Sequence, residues 1–317
     1  MYKNNNVLVS GGTGFVGSNF VLELLNRGAK VLVPVHNRPL SVWDDSVWDF
    51  VDLIQADLTY KEDCLHAMKG IDYVVHAAGA VTAAQVTTTN PMDAIATNLI
   101  LTLRIIQAAW ESGVERFLVL SSHTTYPNAD YPIKESEMWS GDTAEPYFGY
   151  GWMRRYLERL GEFVASKSDM KIAIVRPTAA YGQYDNFDPA TSHVIPALIR
   201  KALEKQDPYE VWGSGDEVRD FINVKDMVRG GLLMLENHAV CDPVNLGSGQ
   251  AVTIRDVVDI ILRLTDHHPK VVYNNDRPTT IPIRIVDTSK AKELGFEAEI
   301  SIEQGLQDTI EWYRRNR

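Results

Sequence analysis

Cysteine is nearly absent. Cys64 and Cys241 are the only two in 317 residues and stand far apart, so neither a disulfide framework nor a thiolate metal site is indicated, and a reducing cytoplasm is the expected compartment. No metal is expected. A basic excess is also missing: the net charge of -11 repels a phosphate backbone and argues against nucleic acid, while leaving room for a local basic site that takes a small phosphorylated ligand. No apolar run approaches the ~18 residues of a membrane span, and the polar start at 1–6 leads directly into a strand, so no membrane association or export is expected. Repeats and low-complexity tracts are lacking too. What remains, 45% hydrophobic and 23% charged residues, is the composition of a globular enzyme rather than of a disordered or fibrous chain.

Short apolar runs at 7–10, 31–35, 53–56, 73–77, 117–121 and 172–176 read as strands, with amphipathic helical pattern between them. Strands separated by helix-length segments imply right-handed crossovers and a parallel sheet covered on both faces. The expected fold is therefore α/β, a doubly wound parallel sheet of the Rossmann type with a smaller α/β lobe. After Pro177 the alternation loosens into a segment rich in Tyr, Asn, Asp and Pro, from Tyr181 to Thr191, and a helix begins near His193. Segments 221–224 and 244–246 read as returns to the sheet, and 254–264 and 302–314 as helices of the second lobe. The division expected is residues 1–178 and 221–248 for the dinucleotide-binding domain, with 179–220 and 249–317 forming the substrate lobe.

Gly11-Gly12-Thr13-Gly14-Phe15-Val16-Gly17 follows the first strand and opens a helix whose apolar positions Phe20, Val21, Leu24 and Leu25 recur at helical spacing. Gly11 permits the tight turn, Gly14 lets the backbone approach a pyrophosphate, and Gly17 allows close helix–strand packing, with the helix N-terminus facing the phosphates. Cofactor contacts are expected along Gly11, Thr13, Gly14, Phe15, Val16 and Gly17. The second strand ends in Val35-His36-Asn37-Arg38, which offers no carboxylate for ribose hydroxyls but a cation for a 2′-phosphate. His36 and Arg38 thus point to NADP(H) ahead of NAD(H), and Asp57 after the third strand stands where an adenine amino group would be met.

Further segments resemble the extended short-chain dehydrogenase/reductase family, the NAD-dependent epimerases and dehydratases. They are His76-Ala77-Ala78-Gly79, Asn98 before an apolar helix, Ser121-Ser122, Arg176-Pro177 with Tyr181-Gly182, Trp212-Gly213-Ser214-Gly215 with Arg219-Asp220-Phe221, and Asn245-Leu246-Gly247-Ser248-Gly249. Within the family the tract Tyr181-Gly182-Gln183-Tyr184-Asp185-Asn186-Phe187, followed by residues 192–200 reading SHVIPALIR, is most similar to the GDP-L-fucose synthase branch. The resemblance implies a nucleoside-diphosphate sugar as substrate, further cofactor contacts at Leu58, Ala77, Ala78, Gly79, Asn98 and Pro177, and a homodimer paired through helices near 92–111 and 147–164.

It also implies a catalytic tyrosine and lysine four residues apart with a serine that orients the sugar oxygen. Ser122 matches the serine. Tyr150 matches the acid/base, with Arg154 where the lysine belongs; Tyr147 is the rival, but its fourth successor is Gly151. Arginine keeps the charge and cannot shed its proton, so electrostatic activation survives and a relay through that side chain does not. Turnover with a shifted pH profile is the expectation. In the fucose synthase branch, 3,5-epimerisation uses a cysteine base and a histidine acid, which fall at Thr124 and His193. A threonine hydroxyl is far too weakly acidic to serve as that base, and strand alternation would turn the neighbouring His123 to the other face. His193 is read as a catalytic acid, a substrate contact or a helix cap.

On the substrate side the resemblance places a diphosphate-gripping arginine at Arg219, with Arg277 and Arg284 as further basic positions, and Asn186, His193, Arg200 and Trp212 as lobe contacts. The function expected is an NAD(P)-dependent nucleotide-sugar oxidoreductase acting at C4, either a 4-keto reductase or a 4-epimerase. The alternative is a dinucleotide-binding protein without turnover because Arg154 replaces the lysine.

Overall fold

The computed structural model describes residues 1–36, 47, 49–79 and 91–317. Six strands alternate with helices through the first half: β1 (Asn6–Ser10), β2 (Lys30–Val35), β3 (Val51–Gln55), β4 (Tyr73–His76), β5 (Arg116–Leu120) and β6 (Lys171–Pro177). Between them run α1 (Phe15–Asn26), α2 (Lys61–Ala67), α3 (Pro91–Glu111) and α4 (Phe148–Ala165). One further strand, Val244–Leu246, completes a seven-stranded sheet in the order Val244–Leu246, β6, β5, β4, β1, β2, β3, with every pairing parallel. The order reverses between β1 and β4, which opens a crevice beyond the strand C-termini where ligands of such sheets sit.

Alternation along the strands divides the core into two layers. Val7 and Val9 face α1 and the helix Val224–Asn237, through Phe20, Leu24, Met227 and Leu232. Leu8, Phe117, Val119, Ile172 and Ile174 face α2, α3 and α4, through Cys64, Ile105, Ile106, Ala109 and Val164. A third cluster gathers Ile195, Leu198, Tyr209, Val211, Val257, Ile261, Leu306 and Ile310 from the chain beyond β6.

Two expectations are corrected. Phe221–Asn223 does not return to the large sheet but pairs in parallel with Ala179–Tyr181. The strand is only three residues long and its neighbours pack in opposite directions, Phe221 into the third cluster and Ile222 under the sheet. Second, Met92–Glu111 within α3 is long and apolar enough to cross a membrane by length and composition. Its apolar residues fall on two sides: Ile105, Ile106, Ala108 and Ala109 lie in the core, whereas Met92, Ile100, Leu103 and Trp110 are exposed. Asp93, Asn98 and Arg104 interrupt the pattern in the sequence.

Candidate active site

The glycine loop connects β1 to α1. Gly11 has φ +67°, and a Cβ there would approach the Ala78 Cα to 2.7 Å, while one on Gly17 would come within 2.0 Å of the Gly11 carbonyl oxygen; only glycine fits either place. The Gly14 amide donates to the Gly11 carbonyl at 2.8 Å, and Gly14 precedes α1 as an N-cap that offers no side-chain bond. The first-turn amides of Phe15, Val16 and Gly17 are thus left to an anion, as a dinucleotide pyrophosphate requires. Thr13 is buried in the same turn.

The end of β4 is pinned to this loop. Ser10 Oγ meets His76 Nδ1 at 2.8 Å and accepts the Ala78 amide at 3.2 Å, and His76 Nε2 meets Thr102 Oγ1 at 2.8 Å. Burial, with Arg154 nearby, pushes the His76 pKa down to about 3, so the neutral ring uses one nitrogen as donor and the other as acceptor. Gly79 lies against buried Asn98, whose Oδ1 a Cβ on Gly79 would meet at 2.6 Å. Leu58 is buried in the core, and Pro177 ends β6. At the end of β2, His36 Nε2 stands 3.6 Å from the Asp57 carboxylate. Thr59 donates its hydroxyl and its amide to Asp57 Oδ1, at 2.7 and 3.0 Å, and holds the carboxyl below the usual range. Arg38 lies outside the described residues.

Beyond β5 the chain leaves the strand pattern. His123–Thr125 forms a 3-10 turn capped by Ser122, whose Oγ accepts the Thr124 amide at 3.1 Å and the Thr124 hydroxyl at 3.0 Å. The expected alternation therefore fails at His123, which turns instead toward the lobe. Its ring packs edge-to-face on Tyr147 at 6.3 Å, and its buried Nδ1 has no hydrogen-bond partner. Burial first, then Arg284 and Arg219, push its pKa down to about 3, so the ring stands neutral beside the two guanidinium groups.

Tyr150 and Arg154 stand one turn apart on α4. Arg154 donates Nε and Nη2 to the Tyr150 hydroxyl at 3.2 and 2.6 Å, and Nη1 to the Leu120 carbonyl at 3.0 Å. Gly151, next to Tyr150, backs directly onto the 3-10 turn, where a Cβ would come within 2.4 Å of the Thr124 carbonyl oxygen. Of the two rival tyrosines, Tyr150 shares the arginine and faces the end of β5, whereas Tyr147 faces His123, Arg219 and Arg284.

Arg219 and Arg284 are register partners on two short parallel strands, Val218–Arg219 and Ile283–Arg284. Arg219 donates to the Val218 and Pro282 carbonyls and the Thr280 hydroxyl at 2.8, 3.2 and 3.1 Å. Arg284 donates to the Pro127 and Tyr126 carbonyls at 2.9 and 3.4 Å, and its buried Nε has no partner. Neither forms an ion pair among the described residues. Burial lowers both pKa values, that of Arg284 to about 10 with Arg219 adding repulsion. Two adjoining, largely buried guanidinium groups without a carboxylate call for an anion from outside.

The other lobe positions are not part of this cluster. Arg277 lies over the Trp212 ring at 5.3 Å and 3.5 Å from Glu210, and Arg200 pairs with Glu204 at 2.9 Å. Asn186 uses its amide within its own loop, on Thr191 and the Asp188 backbone. His193 starts the helix Val194–Leu203 but makes no side-chain cap bond; the surrounding protein lowers its pKa although the residue stays exposed. The reading of the sequence missed the lobe-facing role of His123, because the 3-10 turn has no local signal. It also missed Glu158, which stands four residues past Arg154 on the same helical face.

The profile of the NAD dependent epimerase/dehydratase family matches residues 7–247. GDP-L-fucose synthase of Escherichia coli (strain K12) is 31% identical over 333 residues, covering 98% of this chain and 97% of that protein. The UDP-glucose 4-epimerase of Thermotoga maritima, solved with UDP-glucose, superposes with a TM-score of 0.85 at 26% identity over 98% of this chain and 99% of that one. MoeE5, solved with UDP-glucose and NAD, does so with a TM-score of 0.83 at 30% identity and the same coverage of both chains. Matches of this length to both sequence and fold leave one conclusion: the chain belongs to the NAD-dependent epimerase/dehydratase family, among nucleotide-sugar epimerases and reductases.

Proposed function

We propose that the chain is a nicotinamide-dependent oxidoreductase acting at C4 of a nucleoside-diphosphate sugar, first as a 4-keto reductase that does not epimerise C3 or C5. The observation that carries the reading is the placement of two hydroxyl groups against fixed N–H donors. Ser122 Oγ accepts the Thr124 amide and lies 3.0 Å from the Thr124 hydroxyl, and Tyr150 Oη accepts twice from Arg154. Each hydroxyl retains its own proton to donate, and a ketone oxygen has two lone pairs to receive them. When bound, the nicotinamide supplies hydride. Tyr150 gives its proton to the sugar oxygen, Arg154 stabilises the charge left on the phenol oxygen, and Ser122 orients the carbonyl. Arg219 and Arg284 would hold the diphosphate. The Thr124 hydroxyl is no base for a ring proton, and the lowered pKa of His123 disfavours it in that role, so among the described residues neither position supplies the epimerisation base.

The absence of an acid at the end of β2 favours NADP(H) ahead of NAD(H), which cofactor titration tests. Two copies would pair through α3 and α4, whose exposed apolar residues include Ile100, Leu103, Trp110, Trp152, Tyr156 and Phe163; light scattering reads this directly. The activity test supplies GDP-4-keto-6-deoxymannose with NADPH in D2O. Stoichiometric NADPH oxidation without deuterium at C3 or C5 is the expected result. Interconversion of UDP- or GDP-hexoses without net cofactor change would replace the reductase by a 4-epimerase. Tight dinucleotide binding with silence on all these substrates would overturn the enzymatic reading in favour of binding without turnover.

A further inference from the structure

Three residues of α4 at four-residue spacing, Tyr150, Arg154 and Glu158, lie on one face of the helix, and the last two grip successive residues at the end of one strand. Arg154 holds the Leu120 carbonyl at 3.0 Å. Glu158, buried to 1% exposure, accepts the Ser121 hydroxyl in a short hydrogen bond. Ser122 is the next residue. The Glu158 carboxylate is itself fixed from behind: Arg176 Nε donates to Oε1 at 2.9 Å and Nη2 to Oε2 at 2.6 Å. Arg176 Nη1 reaches the Tyr126 hydroxyl at 2.9 Å and the Glu135 carbonyl at 3.0 Å, and Tyr126 in turn donates to Asn245 Oδ1 at 2.6 Å. Ser121, Glu158, Arg176, Tyr126 and Asn245 are all at least nine-tenths buried.

A buried ion pair is weak support for stability, since well-packed apolar groups of the same volume often do as well or better. A fully satisfied buried network does fix one arrangement of the segments it joins. Here the joined segments are α4, the end of β5, and β6. We propose that Glu158 is a positioning residue: through Ser121 it sets the end of β5 against α4, so that Ser122 and Tyr150 present their hydroxyls to the same substrate oxygen. The proposal rests on the reading of Ser122 and Tyr150 as the proton-handling pair. Glu158 itself touches neither substrate nor cofactor.

The test uses Ser121→Ala, which removes one hydroxyl and leaves the Glu158–Arg176 pair intact, whereas Glu158→Gln strands a buried guanidinium and can fail to fold. A misplacement of this kind lowers kcat by roughly 10- to 100-fold, and the expected result adds unchanged KM for the sugar, unchanged Kd for NADPH, and recovery in Ser121→Thr. A second readout needs no turnover. With tyrosine labelled at the ζ carbon, the signal that disappears in Tyr150→Phe should shift in Ser121→Ala and return in Ser121→Thr. If the parent chain proves inactive, the functional reading fails alone, and this resonance still decides the positioning. A resonance that stays in place, or a kcat within about twofold of the parent, overturns the proposal.

Discussion

Arg154 is the sharpest place to test the chemistry, because it contacts the tyrosine that the mechanism needs. Its fork supplies two N–H donors to Tyr150 Oη. While the hydroxyl is neutral each bond contributes about 1 kcal/mol, and as the oxygen gives up its proton each becomes a bond from cation to anion contributing about 2 kcal/mol. The difference over two bonds is about 2 kcal/mol of transition-state stabilisation, or roughly 30-fold in rate. Arg154→Met, which keeps volume and removes the donors, should therefore lower kcat by roughly that factor at saturating NADPH. Steady-state kinetics with a parallel fluorescence titration of NADPH separates this from a pure cofactor-holding role, in which Kd would rise and saturation would restore kcat. Arg154→Lys should fall between parent and Arg154→Met, since an ammonium cannot donate to both Tyr150 and Leu120 from the fork positions. A kcat for Arg154→Met within about threefold of the parent would refute the reasoning.

Two other outcomes follow from groups that the structure isolates. Arg219→Met removes one of two adjoining guanidinium groups without a carboxylate partner, and should raise KM for the nucleotide sugar by roughly 10- to 100-fold with kcat little changed, because a diphosphate is held equally in ground and transition states. An unchanged KM would remove Arg219 from the site. Burial raises the Asp185 pKa to about 7 and leaves its Oδ2 without a partner. The native chain then keeps a proton that the unfolded chain loses near its ordinary pKa of about 4, so stability falls as pH rises through this window, by at most ~4 kcal/mol. Asp185→Asn, which can still accept the Asn186 amide, should melt close to the parent near pH 4 and several degrees above it near pH 8; parallel melting curves across pH would contradict this.

The large sheet was legible because each of its first six strands is a local apolar run between helical stretches, and the cofactor loop because its glycines sit between a strand and a helix. Tyr150 and Arg154 were picked out through the family resemblance, and their contact follows from standing four residues apart on one helix. What could not be read locally are contacts whose partners are distant in sequence. Arg219 and Arg284 were identifiable one at a time, but their adjacency depends on the parallel register of two-residue strands. Glu158 is an ordinary helical glutamate until Arg176 and Ser121 close around it. Strand periodicity misplaced His123 because it was extended past Leu120, where Ser122 caps a 3-10 turn and ends the pattern.

On the proposed reading, the two departures from the family pattern are both compatible with reduction at C4. A threonine at 124 gives Ser122 a hydroxyl donor where a cysteine would offer a base, and an arginine at 154 gives Tyr150 a forked cation that never releases its proton. Both changes preserve proton delivery to an oxygen at C4, and the change at 124 takes away the base that would remove a proton from a ring carbon. On that reading the site leaves the configuration at C3 and C5 unchanged. The ketone it accepts must then arrive with those centres already set, and the product must keep them, so the stereochemistry of the sugar that this enzyme turns over is fixed before the sugar reaches it.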